Sequence, residues 1–584
     1  MKSGSCLIFT MLLGGACLVN TRTSAQIDLK YEENKTLEWS EIIEAYRGLD
    51  ENYPEAKLIE AGTTDAGKDL HLFIISAGQQ FTPEEVHASG KNIILINNGI
   101  HPGESNGIDA SIELSSDLLS GKANSAYLEN TVILIVPVLN VGGALNRSPF
   151  HRANQNGPEE QGFRGNARNL DLNRDFVKMD SKNAMSMARI IQDWDPDIFI
   201  DTHSTNGADY PYTLTLISSH PQQLEEPQSS YIKTIMEPAL FKAMEDAPYK
   251  MCQYVNIFRR SPEQGFEGFY SYPRYLTGYT SSFQILSFTI ETHMLKPYPE
   301  RVQGTKYLLN EILKYTSIHG EDIRAAKLAA IEKALAKSHF VLQWYNDTSQ
   351  FDLISFSGYK AKTKKSELTG LDMLYYDRDD PWTDFIPFYN YFLPSVEADA
   401  PEYYIIPAAW QDVVERLQAS NIQMKTFEAD TIFDAEAYYI DDFQTTASPY
   451  NGHYWHYATK VQSRTQAIRI QQGDYIVPVH QRGSNYLVHT LEPRAYDSYF
   501  SWNFFDAVLM RNEYFSPYLF EESALKVLED NPLLREEFFS KRKSDPDFAN
   551  NSYAQLSWIY SHSPWSEASY KRYPVFRYTG ELNY

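Results

Sequence analysis

Three short apolar runs in the first half of the chain end in the same kind of chemistry. Residues 93–96 lead into Asn97-Asn98-Gly99-Ile100-His101-Pro102-Gly103-Glu104, residues 198–200 into Asp201-Thr202-His203-Ser204, and residues 288–290 into Glu291-Thr292-His293. Further runs rich in β-branched residues lie at 70–76 and 131–138, and helical periodicity at 39–53, 109–119 and 184–194 separates them. Strands that alternate with helices need crossover connections, and crossovers build a largely parallel sheet covered on both faces. Ligands bind such sheets beyond the carboxyl ends of the strands. The pattern therefore predicts an α/β fold whose strands carry histidines and carboxylates to one edge.

Composition narrows the function. At 584 residues the chain exceeds what one hydrophobic core usually organises, which predicts two or more domains. With 43% hydrophobic and 14% aromatic residues it is not a disordered chain. A formal charge of −24 repels phosphate backbones and anionic lipid, which argues against nucleic-acid binding and peripheral membrane docking. Lys2, the apolar run 7–19 and Thr23-Ser24-Ala25 read as an export signal over 1–25, so the mature chain is expected to be periplasmic or extracellular. That run is too short to span a membrane, and no later stretch spans one either. Lipid attachment at Cys17 is the alternative reading of the same segment. Of three cysteines, Cys6 and Cys17 leave with the signal, and Cys252 has no partner for a disulfide.

A catalytic zinc site needs three protein ligands and an open position. His101 and Glu104 supply two from one loop and His203 the third, which predicts one Zn²⁺ with Glu291 as general base. The spacing alone is weak. His489-Thr490-Leu491-Glu492 repeats it without a following histidine on an apolar strand, so His489 is read as structural. Between the ligands, residues 166–176 concentrate arginine and asparagine, donors suited to a carboxylate. An exopeptidase needs such a clamp; local pairing with Glu159, Glu160 and Asp175 is the structural alternative.

With these residues in view, the chain resembles the zinc carboxypeptidases of the carboxypeptidase A and B type over roughly 39–313. The family's His-x-x-Glu and later His match His101, Glu104 and His203, and its Asp-x-Asn-Arg element matches Asp171-Leu172-Asn173-Arg174. The resemblance implies a mixed eight-stranded sheet. It implies that Asn173 and Arg174 bind the substrate's terminal carboxylate, that Asp171 orients the first zinc histidine, and that Glu291 is the base. It also implies an arginine that polarises the scissile carbonyl, with Arg152 the best match and Arg168 the competitor. A closing tyrosine falls among Tyr270, Tyr272, Tyr275 and Tyr279.

The expected organisation is a signal at 1–25, a catalytic domain at 26–320, a helical connector at 321–345 and an aromatic-rich α+β domain at 346–584. Within the last, 403–407, 410–419 and 422–427 read as a β-α-β unit, Gln472-Gly473 as a hairpin turn between 467–470 and 475–479, and 521–539 as helix. The large exported bacterial carboxypeptidase-like proteins carry a similar extension. The function expected is a zinc metallocarboxypeptidase acting on a peptide or muropeptide. The alternatives are a zinc amidase or deacylase on muropeptides or N-acyl amino acids, and a non-catalytic cell-wall-binding protein that retains the site.

Overall fold

Residues that alternate along the apolar runs point to opposite faces of one sheet, and each face has its own cover. In the computed structural model, which describes residue 1 and residues 27–205, 207–257 and 261–580, eight strands form that sheet. They are β1 (Ala56–Thr63), β2 (Asp69–Ile75), β3 (Asn92–Asn97), β4 (Thr131–Val136), β5 (Ile198–Thr205), β6 (Leu214–Ser218), β7 (Met251–Gln253) and β8 (Leu286–His293). Their order is β1-β2-β4-β3-β5-β8-β6-β7. The central four, β4, β3, β5 and β8, are parallel; β1 and β2 on one side and β6 on the other add antiparallel pairings. The sheet is therefore mixed and eight-stranded, as the resemblance implies. The export-signal reading falls on residues outside those described.

Ile94, Ile96, Ile133, Ile135, Ile198, Ile200, Phe288 and Ile290 face helices α1 (Trp39–Asn52), α2 (Asn106–Ser120) and α4 (Tyr298–Leu335). Ile93, Leu95, Val132, Leu134 and Phe199 face the other way, against α3 (Lys182–Trp194) and against Tyr404, Leu417, Tyr486 and Trp502 of the C-terminal region. That second core is continuous, so residues from beyond 400 cover a face that the first 320 residues alone would leave partly open to water. At roughly 1.5–3 kcal/mol for each large apolar side chain buried, the cover is worth many times one hydrogen bond.

Three local expectations change. The connector expected over 321–345 is the second half of α4, which runs to Leu335 past an irregular His319; His339–Asn346 is already strand, paired with Phe392–Asp399. The expected hairpin at Gln472-Gly473 does not form. Tyr475–Pro478 pairs with Tyr403–Ile406 and Lys425–Thr426, while His456–Ile470 pairs with Thr431–Thr445. Between the two strands the carboxylate of Asp474 accepts from the backbone N–H of Gln471 at 2.8 Å, within the turn, and from that of Ala408 at 2.9 Å, which ties the turn to the segment following Tyr403–Ile406. The helix expected over 521–539 is two helices, Pro517–Asp530 and Pro532–Ser544, because Pro532 starts a new one with Asn531 capping it.

Candidate active site

The carboxyl ends of β3, β5 and β8 lie side by side, with Asn97 paired to Asp201 and His203 to Glu291. Beyond β3 the chain turns sharply at Gly99, whose φ of +63° suits glycine, and a one-turn loop then presents His101 and Glu104. Immediately afterwards α2 packs so close to β5 that a Cβ on Gly107 would lie 1.9 Å from Thr202 Oγ1. Glu104 thus sits just ahead of a helix N-terminus, a position that favours an anion.

Nδ1 of His203 lies 2.9 Å from Glu104 Oε2, and Nδ1 of His101 lies 3.3 Å from the same oxygen. Each ring's outer nitrogen meets a carboxylate: His101 Nε2 is 2.9 Å from Asp171 Oδ1, and His203 Nε2 is 2.8 Å from Asp201 Oδ2. With the proton held at Nε2 by those partners, both Nδ1 atoms turn lone pairs inward toward an oxygen that also has only lone pairs. Three such acceptors within 4.8 Å of one another call for a cation, and two imidazoles with one carboxylate are a donor set zinc accepts.

Burial opposes ionisation of Glu104, but when the two rings are protonated the charge of His101, that of Arg152 and hydrogen bonds from both imidazolium rings outweigh it and hold the carboxyl well below its usual range; with neutral rings a bound cation would take the place of those protons. Asp171 is lowered too, burial again being overcome by His101 and Arg164. Glu291 behaves oppositely. Its Oε2 is buried with no hydrogen-bond partner among the described residues, and burial, reinforced by the charge of Glu104 against the pull of His203, pushes its pKa up to about 7. A carboxyl poised near neutrality suits proton transfer.

His101, Glu104, His203, Arg152, Asn173, Arg174 and Glu291 line one cavity of about 430 Å³, and Asp171 stands behind it. Arg152 Nη1 is 2.9 Å from Glu104 Oε1. Arg168, the competitor, is exposed and donates to the backbone oxygen of Asp180, away from the cavity. Of the four tyrosines only Tyr275 reaches the cavity, where its ring lies 4.5 Å from the Arg174 guanidinium. Tyr279 is fully buried against Phe283 and Tyr486; Tyr270 packs on Trp344 and Phe392; Tyr272 is bonded to the Trp344 backbone and stacks on Tyr496. His489 is half-buried in a helix, and Glu492 is held by Tyr404 and Arg577.

Three further residues belong to this site. Asp201 precedes His203 by two on a strand, hence on the same face, and that spacing is a usable signal. Arg164 lies 3.0 Å from Asp171 Oδ2 and 3.5 Å from Glu104, and Tyr254 joins the wall; neither carries a local signal.

Residues 42–303 match the family model described as zinc carboxypeptidase, Peptidase_M14. The protein is accordingly a metallopeptidase of the carboxypeptidase type. No curated protein matches the chain. Among solved structures it is similar to a metallo-carboxypeptidase from Burkholderia cenocepacia, at 20% identity over 48% of this chain and 68% of that one, with a TM-score of 0.35. Others are a metallo-carboxypeptidase from Pseudomonas aeruginosa, at 16% identity over 49% and 68% with a TM-score of 0.35, and carboxypeptidase A from Helicoverpa armigera, at 14% over 51% and 75% with 0.34. Among the described residues no helix is long and apolar enough to cross a membrane.

Proposed function

We propose that the protein hydrolyses the peptide bond next to a free C-terminal carboxylate, using one zinc ion held by His101, Glu104 and His203. Bound there, zinc would supply a Lewis acid that polarises the scissile carbonyl and lowers the pKa of a water from 15.7 toward about 7. The remaining work belongs to the chain. Arg174, which makes no ion pair among the described residues, receives the substrate's terminal carboxylate, and the Asn173 amide adds a neutral donor beside it. Tyr275, packed on Arg174, closes that end of the cavity. Arg152 sits where negative charge develops on the carbonyl oxygen and stabilises it. Glu291 takes a proton from the attacking water and returns it to the leaving nitrogen, and its raised pKa suits both transfers. Asp171 and Asp201 hold the two imidazoles with their Nδ1 lone pairs inward.

The observation that carries this reading is the convergence of two Nδ1 atoms and Glu104 Oε2 in the cavity that also contains Glu291 and Arg174. The test is to incubate zinc-loaded protein with a mixture of peptides, the same peptides amidated at the C-terminus, muropeptides and N-acyl amino acids, read by mass spectrometry. Single residues should be released far faster from free carboxyl termini than from amidated ones, and chelation should stop the release. Cleavage of N-acyl amino acids without peptides would move the protein to the deacylases. No turnover of any substrate by zinc-loaded protein would make the site a recognition pocket. Export to the periplasm or beyond is part of the proposal, on the strength of residues 1–25, and fractionation of the producing cell tests it.

A further inference from the structure

The proposed carboxylate anchor is itself held from outside the family-matching segment. Residues 446–455 of the C-terminal region reach across the molecule, and Tyr450 Oη accepts a hydrogen bond from Arg174 Nε at 2.9 Å. The next residue, Asn451, grips the Asp171 main chain twice, accepting from its N–H at 2.7 Å and donating to its carbonyl at 3.1 Å. The tip is a tight turn closed by paired backbone bonds between Tyr450 and His453, with φ of 49° at Asn451 and 89° at Gly452. Asn-Gly is the sequence such a turn favours, because both central residues need positive φ. Behind it the Tyr450 ring stacks on the buried Trp502, and His453 Nε2 meets Asp180 at 2.7 Å. The tip is therefore a preformed, rigid part.

Its effect on Arg174 is geometric. Nε is fixed by Tyr450, Nη1 by the Asn173 carbonyl at 2.6 Å, and one face of the guanidinium by the Tyr275 ring. An arginine fixed on two edges and a face loses little rotamer freedom when a carboxylate arrives.

We propose that Tyr450 and Asn451 are positioning residues of the active site, Tyr450 orienting Arg174 for the substrate carboxylate and Asn451 orienting the Asp171 that backs His101. The C-terminal region thereby completes the site built by residues 42–303. This rests on Arg174 being the anchor and His101 a metal ligand, and the experiment separates the two levels.

The full-length, zinc-loaded protein is assayed with a free-carboxylate peptide and its C-terminal amide. Tyr450→Phe keeps the ring stack and removes only the hydroxyl. It should raise KM for the free-carboxylate peptide about tenfold, with kcat within about twofold and the slow amide hydrolysis unchanged. It should add nothing in an Arg174→Ala background. An unchanged KM, or equal losses on both substrates, overturns Tyr450's role. If Arg174→Ala raises KM and Tyr450→Phe does not, only the positioning inference falls; if Arg174→Ala also leaves KM unchanged, the anchor assignment falls with it. For Asn451 the variant is Asn451→Gly, which keeps the turn and deletes both side-chain bonds. Chelator competition should show about tenfold weaker zinc binding, and unchanged affinity overturns Asn451's role.

Discussion

Asp201 offers the most direct measurement of how the fold prepares its ligands. It is 1% exposed; Oδ2 lies 2.8 Å from His203 Nε2, and Oδ1 accepts from Asn97 Nδ2 at 2.8 Å. A charge-assisted hydrogen bond that solvent does not screen is worth about 1.5–3 kcal/mol. Carboxylates in this position typically hold about 10–100-fold in metal affinity, which is about 1.4–2.7 kcal/mol. The two estimates agree. Asp201→Ala leaves the His203 ring without a partner for Nε2 and should weaken zinc binding about 100-fold. Asp201→Asn should fall nearer tenfold, for a specific reason. Asn97 Oδ1 is buried with no partner among the described residues, so turning that amide over lets it accept from the new side chain, whose own oxygen then faces His203. Competition between the protein and a fluorescent zinc chelator reads both values, with His203→Ala as the reference for a lost ligand. If either Asp201 variant binds zinc within about threefold of wild type while His203→Ala does not bind, Asp201 does not orient the imidazole and the reasoning fails.

Glu291→Gln should retain zinc by elemental analysis yet lose at least about 100-fold in kcat, because an amide accepts no proton; near wild-type turnover removes Glu291 from the base role. Asp109 is buried beneath Tyr298 and Thr36, and burial lifts its pKa from 3.8 to about 7 against the pull of those hydrogen bonds. A raised folded pKa means stability that is complete below about pH 4 and is lost as pH rises through about 7, by at most about 4 kcal/mol. Urea midpoints should therefore fall over that window, and Asp109→Asn should flatten the fall; a variant with the same pH slope would acquit Asp109. At the junction with the C-terminal region, Asp497 is fully buried and accepts from Arg274 Nε at 2.6 Å and its backbone N–H at 2.9 Å. Asp497→Ala strands that guanidinium among Trp455, Tyr496 and Trp502 and should cost about 3–5 kcal/mol in chemical denaturation, with a loss under about 1 kcal/mol contradicting this account.

Much of this is legible in the sequence. Strands β2 to β4 and helices α1 to α3 lie close to their expected positions, because periods of two and 3.6 in apolar side chains are local properties of a chain that must bury one face. His101, Glu104, His203 and Glu291 stood out for a related reason: each follows an apolar strand, and a parallel sheet sends all such ends to one edge. Asp201 was visible in the same stretch as His203, and only the period of the strand was needed to pair them. The choice among Tyr270, Tyr272, Tyr275 and Tyr279 was not available locally, since all four belong to one aromatic loop and differ only in which wall they meet. Gln472-Gly473 has the composition of a hairpin turn, yet the strand after it, Tyr475–Pro478, pairs with Tyr403–Ile406, far away in sequence.

The limit is clearest at Arg174. Its neighbours in the chain announce a carboxylate clamp, but the hydroxyl that holds it comes from Tyr450 and the amide that holds Asp171 from Asn451, 276 and 280 residues downstream. No periodicity reports such a contact. It exists because one face of the catalytic sheet is finished by side chains from beyond residue 400, and the packing of that shared core places the turn at 450–453 against the site. The sequence by itself determined which histidines and carboxylates the strand ends bring to one edge, since strand ends and residue types are local. Tertiary structure alone decided what holds those atoms still, because the burial that fixes them joins segments hundreds of residues apart.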